Sequence, residues 1–373
     1  MRQYKKWLLV FIILLLTGCA KPKTLEKIGL VTTKGYDLEK DGKIKGSLVI
    51  LTVDPNAKQK TTIITTKALT ARGNRIHSDV MSSKKLLSGQ LRVVLFSEAI
   101  AKHGIKPFTD TFVRDPSISD LIYMGIVDGQ TEDLLGIVNN QIPDVGQHIY
   151  KEIDHNVRWS LIPSSTLHET LQGNYAVGKD PVLPILKKTK NRVRISGVAL
   201  LKDNKLVGKL NFYQSYYVRT LQSPLKSGAF EIPISGESLG LTGDHLPHKQ
   251  LAVALDTVLS NPKIELINKE NLEFNLNLKI NARIQEINAD IDLKSPKTIQ
   301  LLEREIANQM KKDIRKIVAY CQSVQSDPFG LGETYRSSVR HANLNRKKWH
   351  KIYPKAKVNV NVKFTIAKTG IVE

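Results

Sequence analysis

Two cysteines in 373 residues are too few for a disulfide framework or a cysteine-based zinc site. Long apolar runs are also missing. No stretch approaches the ~20 residues that cross a bilayer as a helix, which excludes an integral helical membrane protein. With 23 glycines and 15 prolines, the chain is neither collagen-like nor low in complexity. Acidic residues are scarce beside basic ones: 35 Asp and Glu against 56 Lys and Arg leave a formal charge of +21. Hydrophobic residues at 41% and charged residues at 24% give an ordinary globular balance rather than a disordered one. The length predicts two or three domains.

The N-terminus reads as a targeting segment. Arg2, Lys5 and Lys6 precede an unbroken apolar run from Trp7 to Leu16. That run is too short to span and suits a signal peptide. Leu16-Thr17-Gly18-Cys19 follows, where a plain secretory signal would end in small residues alone. It resembles a bacterial lipoprotein box. The resemblance implies residues 1–18 as signal peptide, diacylglycerol on the Cys19 sulfur, and an acyl chain such as palmitate on the new amine. Residues 19–26 are then anchor and tether. The remaining 355 residues keep a charge of +18, because Arg2, Lys5 and Lys6 are lost. Two or three acyl chains hold stably where one does not. An exported location makes nucleic acid a poor partner for the charge, and an anionic membrane surface a better one. With Cys19 acylated, Cys321 has no disulfide partner.

Three domains are expected, over 27–190, 191–250 and 251–373. In the first, Glu26–Thr33, Gly46–Val53, Leu91–Phe96 and Leu121–Val127 read as strands, with Asp41-Gly42 as a turn. Ile63–Arg72 is extended or helical. Asp79–Leu87, Phe108–Arg114 and a segment from Thr131 read as helices, and Ser97 caps another that Gly104 ends. Lys187–Arg194 carries five positive charges in eight residues, which places a boundary near 190. Val193–Leu201 and Lys205–Tyr213 form a hairpin about Asp203-Asn204. In the last domain Leu276, Leu278, Ile280, Ala282 and Ile284 alternate as a half-buried strand, with Ile264, Leu266 and Leu272–Phe274 supporting a neighbour. Ile299, Leu302, Ile306, Met310, Ile314, Ile317, Cys321 and Val324 form one face of a long helix. Ser295 caps it and Pro296 fits its first turn. Val358, Val360, Val362, Phe364 and Ile366 alternate as a closing strand. The fold class is α+β with mixed sheets, and the C-terminal domain is expected to pack antiparallel strands on the one long helix.

Catalytic motifs are few. Gly236-Glu237-Ser238-Leu239-Gly240 matches G-x-S-x-G, but a nucleophile elbow needs a helix directly after the serine, and Gly243 and Pro247 follow instead. His245 and His248 beside Asp244 read as loop histidines. Gly125, Gly129, Gly197 and Gly208 make no phosphate cradle. His155, Arg158 and Trp159 read as surface and core. No catalytic residue, metal or cofactor is expected, and no enzyme.

The specific pattern lies near the C-terminus. Ile317-Val318-Ala319-Tyr320-Cys321-Gln322 is followed by Ser326-Asp327-Pro328-Phe329-Gly330-Leu331-Gly332, then Trp349 and the alternating strand. This resembles the C subunits of bacterial spore germinant receptors, the Ger(x)C lipoproteins. The segment Gly197–Gly208, Ser97–Gly104 and Phe112–Asp115 are similar to the family as well. Tyr216–Leu221 departs from it, standing where a Gly- and Trp-containing segment is expected. The resemblance implies a three-domain α+β protein on the outer face of the spore inner membrane. It implies action beside two integral membrane subunits, A-type and B-type, in sensing nutrient germinants, without catalysis. It names no ligand-binding residue. Asp327, Phe329, Gly330, Gly332 and Trp349 also have structural explanations: a turn acceptor, two glycines at positive φ, and two core aromatics. The competing class, a lipid-anchored solute-binding protein of a transporter, needs two similar lobes about a hinge cleft, which one lone helix and a returning strand do not supply.

Overall fold

The computed structural model describes residues 27–51, 61–137, 142–190, 192–241 and 250–367. Two mixed sheets and their helices make an α+β fold. The first sheet holds nine strands: β1 (Ile28–Leu38), β2 (Ile44–Leu51), β3 (Thr61–Ala68), β4 (Lys85–Leu87), β5 (Val93–Ser97), β6 (Tyr123–Val127), β7 (Val182–Thr189), β8 (Arg192–Lys202) and β9 (Lys205–Asn211). They run β3-β2-β1-β5-β6-β7-β8-β9, with β4 beside β1. The centre, β1-β5-β6-β7, is parallel, and hairpins extend both flanks. Central strands buried on both faces read as continuous apolar runs. Val93-Val94-Leu95-Phe96 is an instance, buried throughout. In the basic run, Lys187 pairs with Arg194 and Lys188 with Val193 in the β7–β8 hairpin, and both strands continue this sheet.

Among the described residues seven helices belong to this part: α1 (Ala71–Met81), α2 (Glu98–His103), α3 (Lys106–Val113), α4 (Thr131–Leu135), α5 (Val145–Arg158), α6 (Leu167–Tyr175) and α7 (Phe212–Gln222). Ser97 caps α2 through the Ile100 N–H, and Gly104 ends it at φ 127°. The undecided stretch at 63–72 is strand β3, then a turn into α1. The helix expected over 79–87 is displaced: α1 ends at Met81, and Lys85–Leu87 forms β4. Thr70 starts that helix early, because its hydroxyl accepts the Gly73 N–H. The strand expected to reach Tyr213 stops at Asn211. Asn211 and Gln214 make a capping box that turns the chain into α7, which contains Tyr216–Leu221.

The second sheet runs β10 (Ala229–Ile234), β11 (Leu251–Asn268), β12 (Glu273–Ile287), β13 (Lys357–Ile366). Phe274, Leu276, Leu278, Ile280 and Ala282 are buried at alternate positions of β12. The long helix α8 (Pro296–Ser323) is capped by Ser295 and buries Leu302, Ile306, Met310, Ile314, Ile317 and Cys321. The expectation of purely antiparallel strands here needs correction. β13 pairs with β12 in parallel, Glu273 opposite Lys357 through Ala282 opposite Ile366. Helix α8 lies between these strands in sequence, and such a crossover is what parallel pairing requires. Two short helices, α9 (Leu331–Ser338) and α10 (Arg346–Ile352), complete the return. One apolar cluster runs from Val93 and Leu95 under the first sheet to Ile306, Trp349 and Phe364 under the second.

Candidate functional site: buried aspartates joining the two sheets

The Ser326–Gly332 motif folds around a carboxylate. Asp327 is fully buried. Its Oδ1 accepts the main-chain N–H groups of Phe329 (3.2 Å) and Gly330 (2.9 Å). Its Oδ2 accepts the Gly332 N–H (3.0 Å) and the indole Nε1–H of Trp349 (3.1 Å). Burial, with the Asp180 carboxylate nearby, pushes the Asp327 carboxyl up to about 7 against the lowering effect of the Gly332, Leu331 and Gly330 N–H groups.

The same turn reaches across to the first sheet. Asp327 N–H donates to Asp180 Oδ2 (2.9 Å), and Asp180 N–H donates to the Asp327 carbonyl (2.7 Å). Asp180, itself buried, also meets Arg346 Nη2 at 2.8 Å and His350 Nε2 at 3.0 Å. Both partners come from α10. Arg346 Nη1 donates further to the carbonyls of Gly173, Asn174 and Ala176 at the end of α6. Those are carbonyls a helix terminus leaves open, and a cation there also meets the negative end of the helix dipole. Ser326 Oγ donates to the Leu201 carbonyl, and Gln222 Nε2 to that of Pro328. Gln322 Nε2 donates to the carbonyls of Tyr353 and Ala356, which fixes the end of α8 against the return.

Two backbones cross within this junction. A Cβ on Gly178 would stand 2.2 Å from the Gly332 carbonyl carbon, and Gly178 has φ +97°. A Cβ on Gly332 would stand 2.3 Å from Gly178 Cα and 2.6 Å from Trp349. Gly330 has the positive φ the sequence predicts, +82°. Gly332 does not; it is glycine because of this close approach. Trp349 and Phe329 are core, as expected. Asp180, Arg346 and His350 escape sequence reasoning, since nothing in their spacing pairs residues 166 or more positions apart.

One cavity borders the junction and a second lies elsewhere. One of about 280 Å³ is lined by Glu169, Thr170, Lys179, Asp180, Arg219 and Glu333. Another, of about 470 Å³, lies between α7, β10 and α8, where the Tyr217 hydroxyl donates to Asp313 Oδ2. Among the described residues no group of three or more His, Cys, Asp or Glu is placed to hold a metal. Ser238 sits in a single 3-10 turn, Glu237–Leu239, ended by Gly240 at φ 72°. Cys321 is buried, and burial raises its thiol far from reactivity. Arg158 pairs with Asp154 on α5, and Trp159 is exposed beside His155. Cys19, Asp244, His245 and His248 lie outside the described residues. No helix of the described residues is long and apolar enough to cross a membrane.

The fold and junction define a chain of two mixed sheets joined by a buried hydrogen-bonded group, and comparison with known proteins places it among spore germination proteins. Residues 21–188 match the family described as "Spore germination protein N-terminal domain", and residues 196–370 match "Spore germination B3/ GerAC like, C-terminal". The chain belongs to this Ger(x)C family. It is 26% identical over 371 residues to spore germination protein GerQC of Bacillus cereus, covering 99% of this chain and 100% of that one. It is 21% identical to putative spore germination protein YfkR of Bacillus subtilis (strain 168), covering 99% and 97%. The crystal structure of the GerBC protein shares the fold, with a TM-score of 0.54 and 16% identity over 90% of this chain and 97% of that one.

Proposed function

We propose that this protein is the lipid-anchored C subunit of a nutrient germinant receptor, held on the outer face of the spore inner membrane and acting by contact with two integral membrane subunits. The observation that carries the reading is the family match along nearly the whole chain, joined to a lipoprotein box ending at Cys19. Its charged and polar groups serve the architecture, so the protein transmits or supports a response rather than catalysing one. Tethering raises the effective concentration of an anchored domain near other membrane proteins, so weak contacts suffice.

Metabolic labelling with a fatty acid tests the anchor. Wild type should incorporate label, and Cys19→Ala should not. Spores carrying Cys19→Ala should lose the response to one set of nutrients and keep responses that bypass receptors. Ser238→Ala should germinate as wild type. Normal amounts of folded Ser238→Ala protein in spores that fail to germinate would overturn the non-enzymatic reading.

A further inference from the structure

Helix α1 has its polarity reversed. The side chains it buries are Asn74 and Ser78. They meet Thr66 of β3 at 3.0 and 3.2 Å, and Asn74 also donates to the Ile44 carbonyl. Arg75 fastens the same underside to Ser88 and to the Leu86 carbonyl. Outward go Ile76 (55% exposed), Val80 (81%) and Met81 (65%), with Leu69 (78%) just before the helix. Buried polar groups need partners, and here they have them. Large apolar side chains left in water along one helix mark a contact surface, not a core.

Position and charge identify the occupant. Met81 lies four residues before Lys85, which pairs in parallel with Ile28 at the start of β1. Four residues extend at most ~14 Å, and the nine from Cys19 to Ile28 at most ~32 Å. The apolar end of α1 therefore lies near the point where the tether enters the fold. Exposed Lys27 and Lys85 lie at this edge, beside the paired Ile28; exposed Arg72 lies in the first turn of α1, and the one acidic residue on the helix, Asp79, is matched by Arg75 at 3.7 Å. An apolar face with a basic border, set close to an acyl anchor, is the arrangement of an interfacial helix on anionic lipid. We propose that α1 is a membrane-docking element. Ile76, Val80 and Met81 enter the headgroup boundary, while the basic residues meet anionic headgroups and fix the orientation of the first sheet above the bilayer. This rests on the lipid-anchored reading.

The test uses the chain from Ala20, which retains every described element, and the acylated full chain on membranes. A fluorescent environment probe is placed at Val80→Cys, with Lys269→Cys at the β11–β12 turn as control; buried Cys321 stays unlabelled. On vesicles of phosphatidylcholine and phosphatidylglycerol the probe at 80 should shift to the blue and the control should not. Phosphatidylcholine alone should give a weaker shift. Ile76→Asp with Val80→Asp, both at exposed positions, should keep the fold by circular dichroism and lower vesicle partitioning at least about tenfold. A probe at 80 that stays aqueous in the acylated protein on the membrane overturns the proposal. So does a shift that needs the integral subunits, which would make the face a protein contact. Fatty-acid labelling of the full chain separates the two readings: a full chain that takes no label, with a blue shift at 80, refutes the anchor and supports docking, and acylation with an aqueous probe refutes docking alone.

Discussion

Replacing Asp327 should damage the fold more than any loss of charge would explain. The side chain accepts four N–H groups in a site without solvent. Removing an acceptor leaves each buried donor unsatisfied at about 1–3 kcal/mol. The nominal total for Asp327→Ala exceeds what a turn able to relax will lose, so the expected destabilisation is about 4 kcal/mol, near the upper end for single substitutions. Asp327→Asn is the sharper probe. It is isosteric, yet its amide turns N–H donors toward one of the two donor pairs, and the expected cost is about 2–3 kcal/mol. Trp349→Phe removes one donor and leaves three, costing about 1–2 kcal/mol including lost packing. Urea unfolding of the chain from Ala20 reads the two Asp327 variants by fluorescence and Trp349→Phe by circular dichroism. Trp349 is fully buried and Trp159 is 56% exposed, so the red shift reports the junction. An Asp327→Asn protein within about 0.5 kcal/mol of wild type, the range of ordinary surface changes, would refute the reasoning.

Lys34 is buried with only the Ser88 hydroxyl at 3.1 Å, and burial followed by Arg75 lowers it from 10.5 to about 8. The unfolded chain therefore binds more protons between those values, and stability should rise with pH through that window. Lys34→Met should be more stable at neutral pH by about 1–3 kcal/mol and should lack the rise, as calorimetry across pH will show. Gly332→Ala should cost more than about 3 kcal/mol or prevent soluble expression, because its Cβ meets Gly178 backbone and the Trp349 ring; a stable, soluble variant would contradict the crossing. The Cys321 thiol should resist a thiol reagent in the native protein and react once denaturant is added; rapid native labelling would contradict its placement on the buried face of α8.

What the sequence made legible follows from period. The alternation in β12 and β13 and the stripe of α8 each specify a face; those faces turn inward, fully buried along most of β12 and α8 and at Val360 and Phe364 of β13, and half-buried at their remaining positions. The short cap Ser97 and the hairpin at Asp203-Asn204 were readable because a few residues decide them. Helix α1 was misplaced because its pattern is reversed: a search for apolar side chains facing inward slides past Asn74 and Ser78. The parallel pairing of β13 was hidden because alternation gives a strand's face but not its direction. At the junction, the Asp327 turn was visible as a motif, with its glycines and Trp349. Its partners Asp180, Arg346 and His350 were not, since only the folded topology brings segments so distant in the chain into one hydrogen-bonded group.

Arg346 closing the end of α6 has a consequence for the order of assembly. A helix near the middle of the chain keeps three open carbonyls until a residue more than 160 positions later arrives. Contacts of that sequence separation form slowly, because the intervening chain must first be ordered. In any synthesis or export that proceeds from the N-terminus, the end of α6 waits for the last part of the chain. The boundary between the two family regions is then not a line along which the molecule divides, since β7 and β8 pair across it. A fragment ending near residue 190 would carry the sequence of an N-terminal domain but lack both the flank of its sheet and the arginine that finishes its helix.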